Sequence, residues 1–227
     1  MKQLIIKHKV FYYLFSLFVL VVGILLFQID KGDLILFCSD NRTPFWNHFF
    51  KITTQFGEEP AYAIIAVGFF FIRFRISLLF GLMGGIITLC SFGLKSLFSA
   101  ERPFTFFDKL GKFNEIITVE GIDLLVGPTS FPSGHTMSGF GLYLLLMFFL
   151  PAKKRFSIIC FGLAFVVGFS RIYLVQHFLQ DILAGAFCGV LIGTLVYYFN
   201  DKIPYNSKYW IDRSLLNLKN VDKRQVV

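Results

Sequence analysis

Charge is what this chain has least of. Only 16% of its 227 residues are Asp, Glu, Lys or Arg, while 56% are hydrophobic and 31 are Phe. So few charges among so many long apolar runs exclude a soluble domain of ordinary composition and point to a polytopic membrane protein. Cysteine is scarce too. Cys90, Cys160 and Cys188 lie inside apolar runs, Cys38 lies in a polar segment, and no CxxC or His/Cys spacing is present. That excludes a disulfide framework and a zinc site, and the cysteines read as small hydrophobes. No internal repeat or low-complexity tract interrupts the pattern.

The apolar runs are helical in length. Residues 10–29, 76–94, 135–150 and 182–199 each read as a span, and the shorter run 156–169 is expected to continue as helix. No small-residue cleavage site follows 10–29, so it reads as a span rather than a leader. The run 61–72 has 12 uncharged residues, too few to cross alone. A start near Ile52, kinked at Pro60, would make it long enough. The expectation is all-α: one domain over 1–227, a bundle of six transmembrane helices. From Asn200 the tail is polar, with Trp210, Leu215 and Leu216 as interfacial anchors.

The net charge is +8, yet the cations are dispersed between apolar runs instead of gathered on one soluble element. Nucleic acid is therefore not an expected partner. The N-terminal lysines, Arg73, Arg75, Lys153, Lys154, Arg155 and the tail hold 14 of the 22 Lys and Arg. Cytoplasmic loops carry such an excess, so both termini are expected in the cytoplasm. The remaining loops, and the motifs they carry, then face the periplasmic side of an inner membrane.

Three motifs sit at the edges of the apolar runs. Lys95 and Arg102 are seven residues apart, two helical turns, which places both on one face, and Pro103 is expected to end that helix. Pro132-Ser133-Gly134-His135 directly precedes an apolar run: Ser133 fits an N-cap, and Gly134 lets an anion approach the free N–H groups of the helix start. His177 and Asp181 are i and i+4, and Arg171 lies six residues earlier. A carboxylate on one imidazole nitrogen leaves the other free to attack phosphorus. Each motif alone also fits a structural role: a snorkelling lysine, an ordinary cap, a histidine–aspartate bond at the membrane edge.

Taken in order, Lys-x6-Arg-Pro, Pro-Ser-Gly-His and Ser-Arg-x5-His-x3-Asp resemble the full signature of the type 2 phosphatidic acid phosphatase (PAP2) superfamily. The motifs run from Lys95 to Asp181, and no motif position departs from the pattern. The resemblance implies the helical core shared with vanadium haloperoxidases, and a lipid phosphatase that needs neither metal nor cofactor. It implies that His177 attacks phosphorus, Asp181 orients it and His135 protonates the leaving oxygen. Lys95, Arg102, Ser133, Gly134 and Arg171 would bind the phosphoryl oxygens.

The substrate class that follows is a lipid phosphate or pyrophosphate, led by undecaprenyl pyrophosphate and lipid A phosphate. Phosphatidylglycerophosphate and phosphatidic acid come next. No obligatory protein partner is inferred. A phosphotransferase would use an alcohol in place of water, and a transporter or channel would use the buried charges to line a path. Two further features are singled out. The segment 104–131 reads as a connector or site cover, with a turn at Val119-Glu120-Gly121-Ile122 between short strands. Glu58 and Glu59 are placed either in the site cavity or above the membrane. His8 and His48 read as surface residues.

Overall fold

The computed structural model describes residues 2–206 and 208–216, and every regular element among them is a helix. A short α1 (Lys2–Lys7) leads into α2 (Lys9–Gln28), followed by α3 (Asp33–Asp40) and α4 (Pro44–Thr53). A 3₁₀ turn over Thr54–Gly57 connects α4 to α5 (Glu59–Phe70), and α6 (Phe74–Phe98) follows. Beyond α7 (Pro103–Lys109) come α8 (Gly134–Phe149), α9 (Lys154–Tyr173) and α10 (Leu179–Asp201).

Four of these, α2, α6, α9 and α10, are long and apolar enough to cross a membrane; α5 and α8 are apolar but shorter. The second span differs from expectation. No continuous helix begins at Ile52: α4 ends at Thr53, and the chain turns over Thr54–Gly57 and re-enters helix at Glu59. Pro60 sits in the first turn of α5, where a missing N–H leaves no helical bond unmade, so it starts a helix instead of kinking one.

Helix α8 is the axis of the bundle and packs against α10, α9 and α6. Nearly all of it is buried, including Met137, Phe140, Leu142, Leu144 and Leu145 at 0% exposure. A helix apolar on every side is satisfied only by this position. Helix α10 meets it closely through glycines. A Cβ on Gly185 would lie 3.1 Å from Thr136 Cβ, and one on Gly189 would lie 3.0 Å from Gly141 N. The i, i+4 spacing lets the two backbones approach, as small residues do between membrane helices. By contrast α5 buries no residue in the protein and exposes Ile64, Val67 and Phe70.

The two ends of the bundle differ in kind. One carries the N-termini of α8 and α10 and the C-termini of α6 and α9. At the other, Arg75 and Asp212 pair at 2.5 Å, and the Phe74 N–H donates to the Arg213 carbonyl. This docks the tail on the start of α6, with Trp210, Leu215 and Leu216 left exposed. His48 is exposed as expected, but His8 is not. It is 2% exposed and packs edge-on against Phe148, because the turn between α1 and α2 tucks it under the bundle. All four cysteines are free; Cys38 and Cys160 are buried, Cys90 and Cys188 only half-buried.

Candidate active site

All eight residues singled out in the motifs lie at one end of the bundle. Two of the local geometries differ from those the spacing implies. Helix α6 stops at Phe98, where Ser99 takes a left-handed conformation (φ 46°) and its N–H bonds the Lys95 carbonyl. Arg102 is therefore not on the face of Lys95. It caps α7, and Pro103 opens that helix instead of ending α6. The excursion is fixed by two backbone bonds to the far side of the loop, Arg102 N–H to Gly127 O and Ser130 N–H to Ala100 O. These return the guanidinium to the bundle, where it is 4% exposed.

The third motif is likewise not one helical face. Arg171 lies in the last turn of α9, but His177 precedes α10, whose N-cap is Phe178. The intervening turn is tight: Val175 adopts φ 59°, a region that β-branched residues seldom occupy, and the N–H groups of Gln176 and His177 both donate to Arg171 O. Asp181, at the third position of α10, accepts from the Phe178 N–H at 2.9 Å, as an N-terminal cap does. The same carboxylate oxygen lies 3.4 Å from His177 Nδ1 and accepts from Ser130 Oγ at 2.5 Å.

The imidazole of His177 is thereby oriented on both sides. Its Nδ1 faces Asp181 and Ser130 Oγ, and its Nε2 lies 3.3 Å from Arg102 Nη1. A proton on Nδ1 satisfies both contacts, leaving the Nε2 lone pair toward the guanidinium. Burial lowers the His177 pKa to about 3; the Asp181 hydrogen bond opposes the shift, and the charges of Arg102 and Arg171 reinforce it. The ring is neutral at physiological pH.

Around this pair the cations converge. Arg102 also donates to Gln176 O (3.0 Å) and Thr129 Oγ1 (3.3 Å). Arg171 is 6% exposed, donates from Nη1 to Thr54 Oγ1 at 2.7 Å, and keeps a buried Nε with no hydrogen-bond partner among the described residues. Ser133 is the N-cap of α8 as expected, accepting from the Thr136 N–H. Its own N–H donates to Asp181 O at 3.0 Å, which joins the starts of α8 and α10. The first N–H groups of α8, on Gly134 and His135, have no helical carbonyl to bond. A Cβ on Gly134 would lie 2.9 Å from Ser91 Oγ and 3.7 Å from Lys95 Nζ, so the glycine keeps this corner open beside the ammonium.

His135 contacts the other side of the cavity. Its Nε2 is 3.0 Å from Glu58 Oε1, and that hydrogen bond holds the Glu58 carboxyl below the usual range. The cavity, about 590 Å³, is lined by Glu58, Glu59, Lys95, Gly134 and His135, then runs along Gly81, Gly84 and Gly85 of α6. Glu58 and Glu59 thus line the cavity, Glu58 half-buried and Glu59 exposed at its mouth.

Ser130, Thr129, Thr54 and Gln176 are contacts the sequence did not disclose. Gln176 fills an unspecified position of the third motif, directly before His177, and Ser130 lies two residues before Pro132-Ser133-Gly134-His135; Thr129 and Thr54 carry no such signal. The segment 104–131 contains the expected turn, with Gly121 at φ 72° and Ile122 N–H bonded to Val119 O, but no strands among the described residues. Its backbone bonds are made to side chains instead: Ser39 accepts from Ile117 N–H, Arg42 donates to Ile117 O and Lys51 donates to Glu120 O.

Comparisons with known proteins place the chain in a family. A family model described as the PAP2 superfamily matches residues 74–205. Phosphatidylglycerophosphatase B of Bacillus subtilis is 31% identical over 175 residues, covering 71% of this chain and 79% of that protein. The solved transmembrane PAP2 type phosphatidylglycerolphosphate phosphatase from Bacillus subtilis aligns with a TM-score of 0.62 at 27% identity, over 87% of this chain and 98% of that one. Aquifex aeolicus LpxE aligns with a TM-score of 0.59 at 25% identity, over 74% and 94%. Motifs, fold and relatives converge: the chain belongs to the PAP2 superfamily and is a multi-pass membrane lipid phosphate phosphatase.

Proposed function

We propose that the chain hydrolyses a lipid phosphomonoester at the periplasmic face of the cytoplasmic membrane, through a phosphohistidine on His177. One observation carries the proposal: a neutral, buried imidazole whose Nδ1 faces a carboxylate and whose Nε2 lies 3.3 Å from the Arg102 guanidinium. Nε2 attacks phosphorus, Asp181 stabilises the cation formed on the ring, and His135 protonates the leaving oxygen. Water activated by His135 then frees the phosphate. Lys95, Arg102, Arg171 and the α8 N-terminus at Ser133 and Gly134 stabilise the charge on the phosphoryl oxygens. The unpaired Arg171 Nε is a donor available to one of them.

The membrane frame follows from the same bundle. With α5 and α8 added to the four long helices, the chain makes six spans in one domain, and the Lys/Arg excess sets both termini in the cytoplasm. The cavity along the α6 glycines admits lipid tails sideways while the phosphate reaches the cations. Phosphatidylglycerophosphate moves ahead of undecaprenyl pyrophosphate and lipid A as substrate, supported by the names of phosphatidylglycerophosphatase B and of the solved phosphatidylglycerolphosphate phosphatase from Bacillus subtilis, which align over more of the chain than the undecaprenyl-diphosphatase of that organism.

The test is phosphate release from all four lipids by detergent-purified protein with EDTA present, wild type beside His177→Ala. Release by wild type and a loss of about 10³-fold or more in the variant are expected. Equal release by both proteins would reject His177 as nucleophile. Label recovered on a second lipid instead of in free phosphate would replace hydrolysis by transfer.

A further inference from the structure

Glu58 stands where the leaving group must go. His135 is the proposed acid for the leaving oxygen, and the nitrogen that faces the cavity, Nε2, is 3.0 Å from Glu58 Oε1. The carboxylate is not a passing surface charge. It follows the turn Thr54–Gly57, which α8 and α9 clamp at four points. Ser138 Oγ donates to Gly57 O at 2.5 Å, Tyr143 OH donates to Phe56 O at 2.9 Å, and Arg171 donates to Thr54 Oγ1. Gly57 presses so closely that a Cβ there would lie 2.5 Å from Val167 Cγ1. A carboxylate on so rigid a mount is part of the cavity wall.

We infer that Glu58 is a specificity-determining residue that selects lipid phosphomonoesters over lipid diphosphates. The inference rests on the proposed roles of His177 and His135. When a monoester is cleaved, the P–O bond to the alcohol breaks as the bond from His177 Nε2 forms. The departing oxygen takes the His135 proton and leaves as a neutral alcohol. When a diphosphate is cleaved at its terminal phosphorus, the departing oxygen belongs to a second phosphate. That leaving group is an anion, and its unshared oxygens are set beside the Glu58 carboxylate. Like charges so placed in a half-buried cavity repel, and the Glu58 carboxylate offsets the attraction of Lys95, which lines the same cavity. A hydroxyl next to the departing oxygen, as in a glycerol phosphate headgroup, would instead donate to Glu58.

The experiment compares phosphatidic acid with diacylglycerol pyrophosphate, which share one lipid tail and differ only in the second phosphate. Initial rates of terminal phosphate release are measured for wild type, Glu58→Gln and Glu58→Ser, each substrate on the same protein preparation. The ratio of kcat/KM values then cancels any difference in folded fraction. Wild type is expected to favour the monoester, and both variants to lower that ratio by about ten-fold, mainly through faster diphosphate cleavage. A ratio unchanged within two-fold, or a wild type that favours the diphosphate, overturns the role of Glu58 and leaves the phosphatase reading intact. Release from neither lipid, nor from phosphatidylglycerophosphate, undecaprenyl pyrophosphate or lipid A, overturns both.

Discussion

At the scale of single residues, the proposed nucleophile is shaped by groups outside the motifs. Ser130 shares Asp181 Oδ2 with the imidazole, so it helps hold the carboxylate where Nδ1 needs it. Ser130→Ala is expected to lower kcat by about ten-fold with KM nearly unchanged, because the cations proposed to bind phosphate stay in place. A change confined to KM would show that Ser130 acts on binding. The burial of His177 also makes a pH prediction. Its folded pKa, about 3, lies below the ordinary 6.5, so between these values the unfolded chain binds more protons than the folded one. Stability from this group is full above 6.5 and declines as pH falls toward 3. Thermal denaturation in detergent at pH 7.5 and 5.0 should show a larger drop in Tm for wild type than for His177→Gln. Equal drops would mean that other groups set the acid sensitivity.

Among the elements, the meeting of α8 and α10 decides whether the site exists at all. Ser133 at the start of α8 donates its N–H to Asp181 O in the first turn of α10, so a shift between these helices separates the proposed phosphate cradle from the proposed nucleophile. The glycines set that distance. Gly189→Leu must push a side chain into Gly141 N and Met137 C, 3.0 and 3.1 Å from its Cβ, and should destabilise the fold by about 1–3 kcal/mol. Activity should fall with the loss of folded protein or beyond it, measured as a Tm shift beside initial rates. Gly81→Ala in α6, where a Cβ meets nothing within 4 Å, should leave Tm unchanged. The cap at Ser133 was legible because capping is a local rule joining a short polar residue to an N–H three positions on. The end of α6 was not, since Ser99 turns left-handed to deliver Arg102 to a loop 25 residues away.

For the molecule as a whole, orientation is the property that function needs, since substrate and site must share a leaflet. In the orientation proposed from the Lys/Arg excess, the segment around Gly121 lies outside and the α8–α9 connection inside. In a background without native cysteines, a Cys at Gly121 should react with a membrane-impermeant maleimide in intact spheroplasts. A Cys at Lys154 should react only after lysis. The opposite pattern would turn the bundle over and place the site in the cytoplasm.

Composition and motif order by themselves determined the membrane class, the family and all eight candidate residues, because insertion into lipid and binding of phosphate each demand particular residue types. What only the tertiary structure decided is how those residues meet. Arg102 and His177 were placed on helical faces by their spacing, yet both reach the site from turns held by bonds distant in sequence, Arg102 N–H to Gly127 O and Gln176 N–H to Arg171 O. The Glu58–His135 contact joins residues 77 apart, and no local pattern could reveal it. Local rules report what a helix can begin or end. Which side chains share a cavity depends on where the backbones can approach, and here the α10 glycines and the clamped turn before α5 decide that.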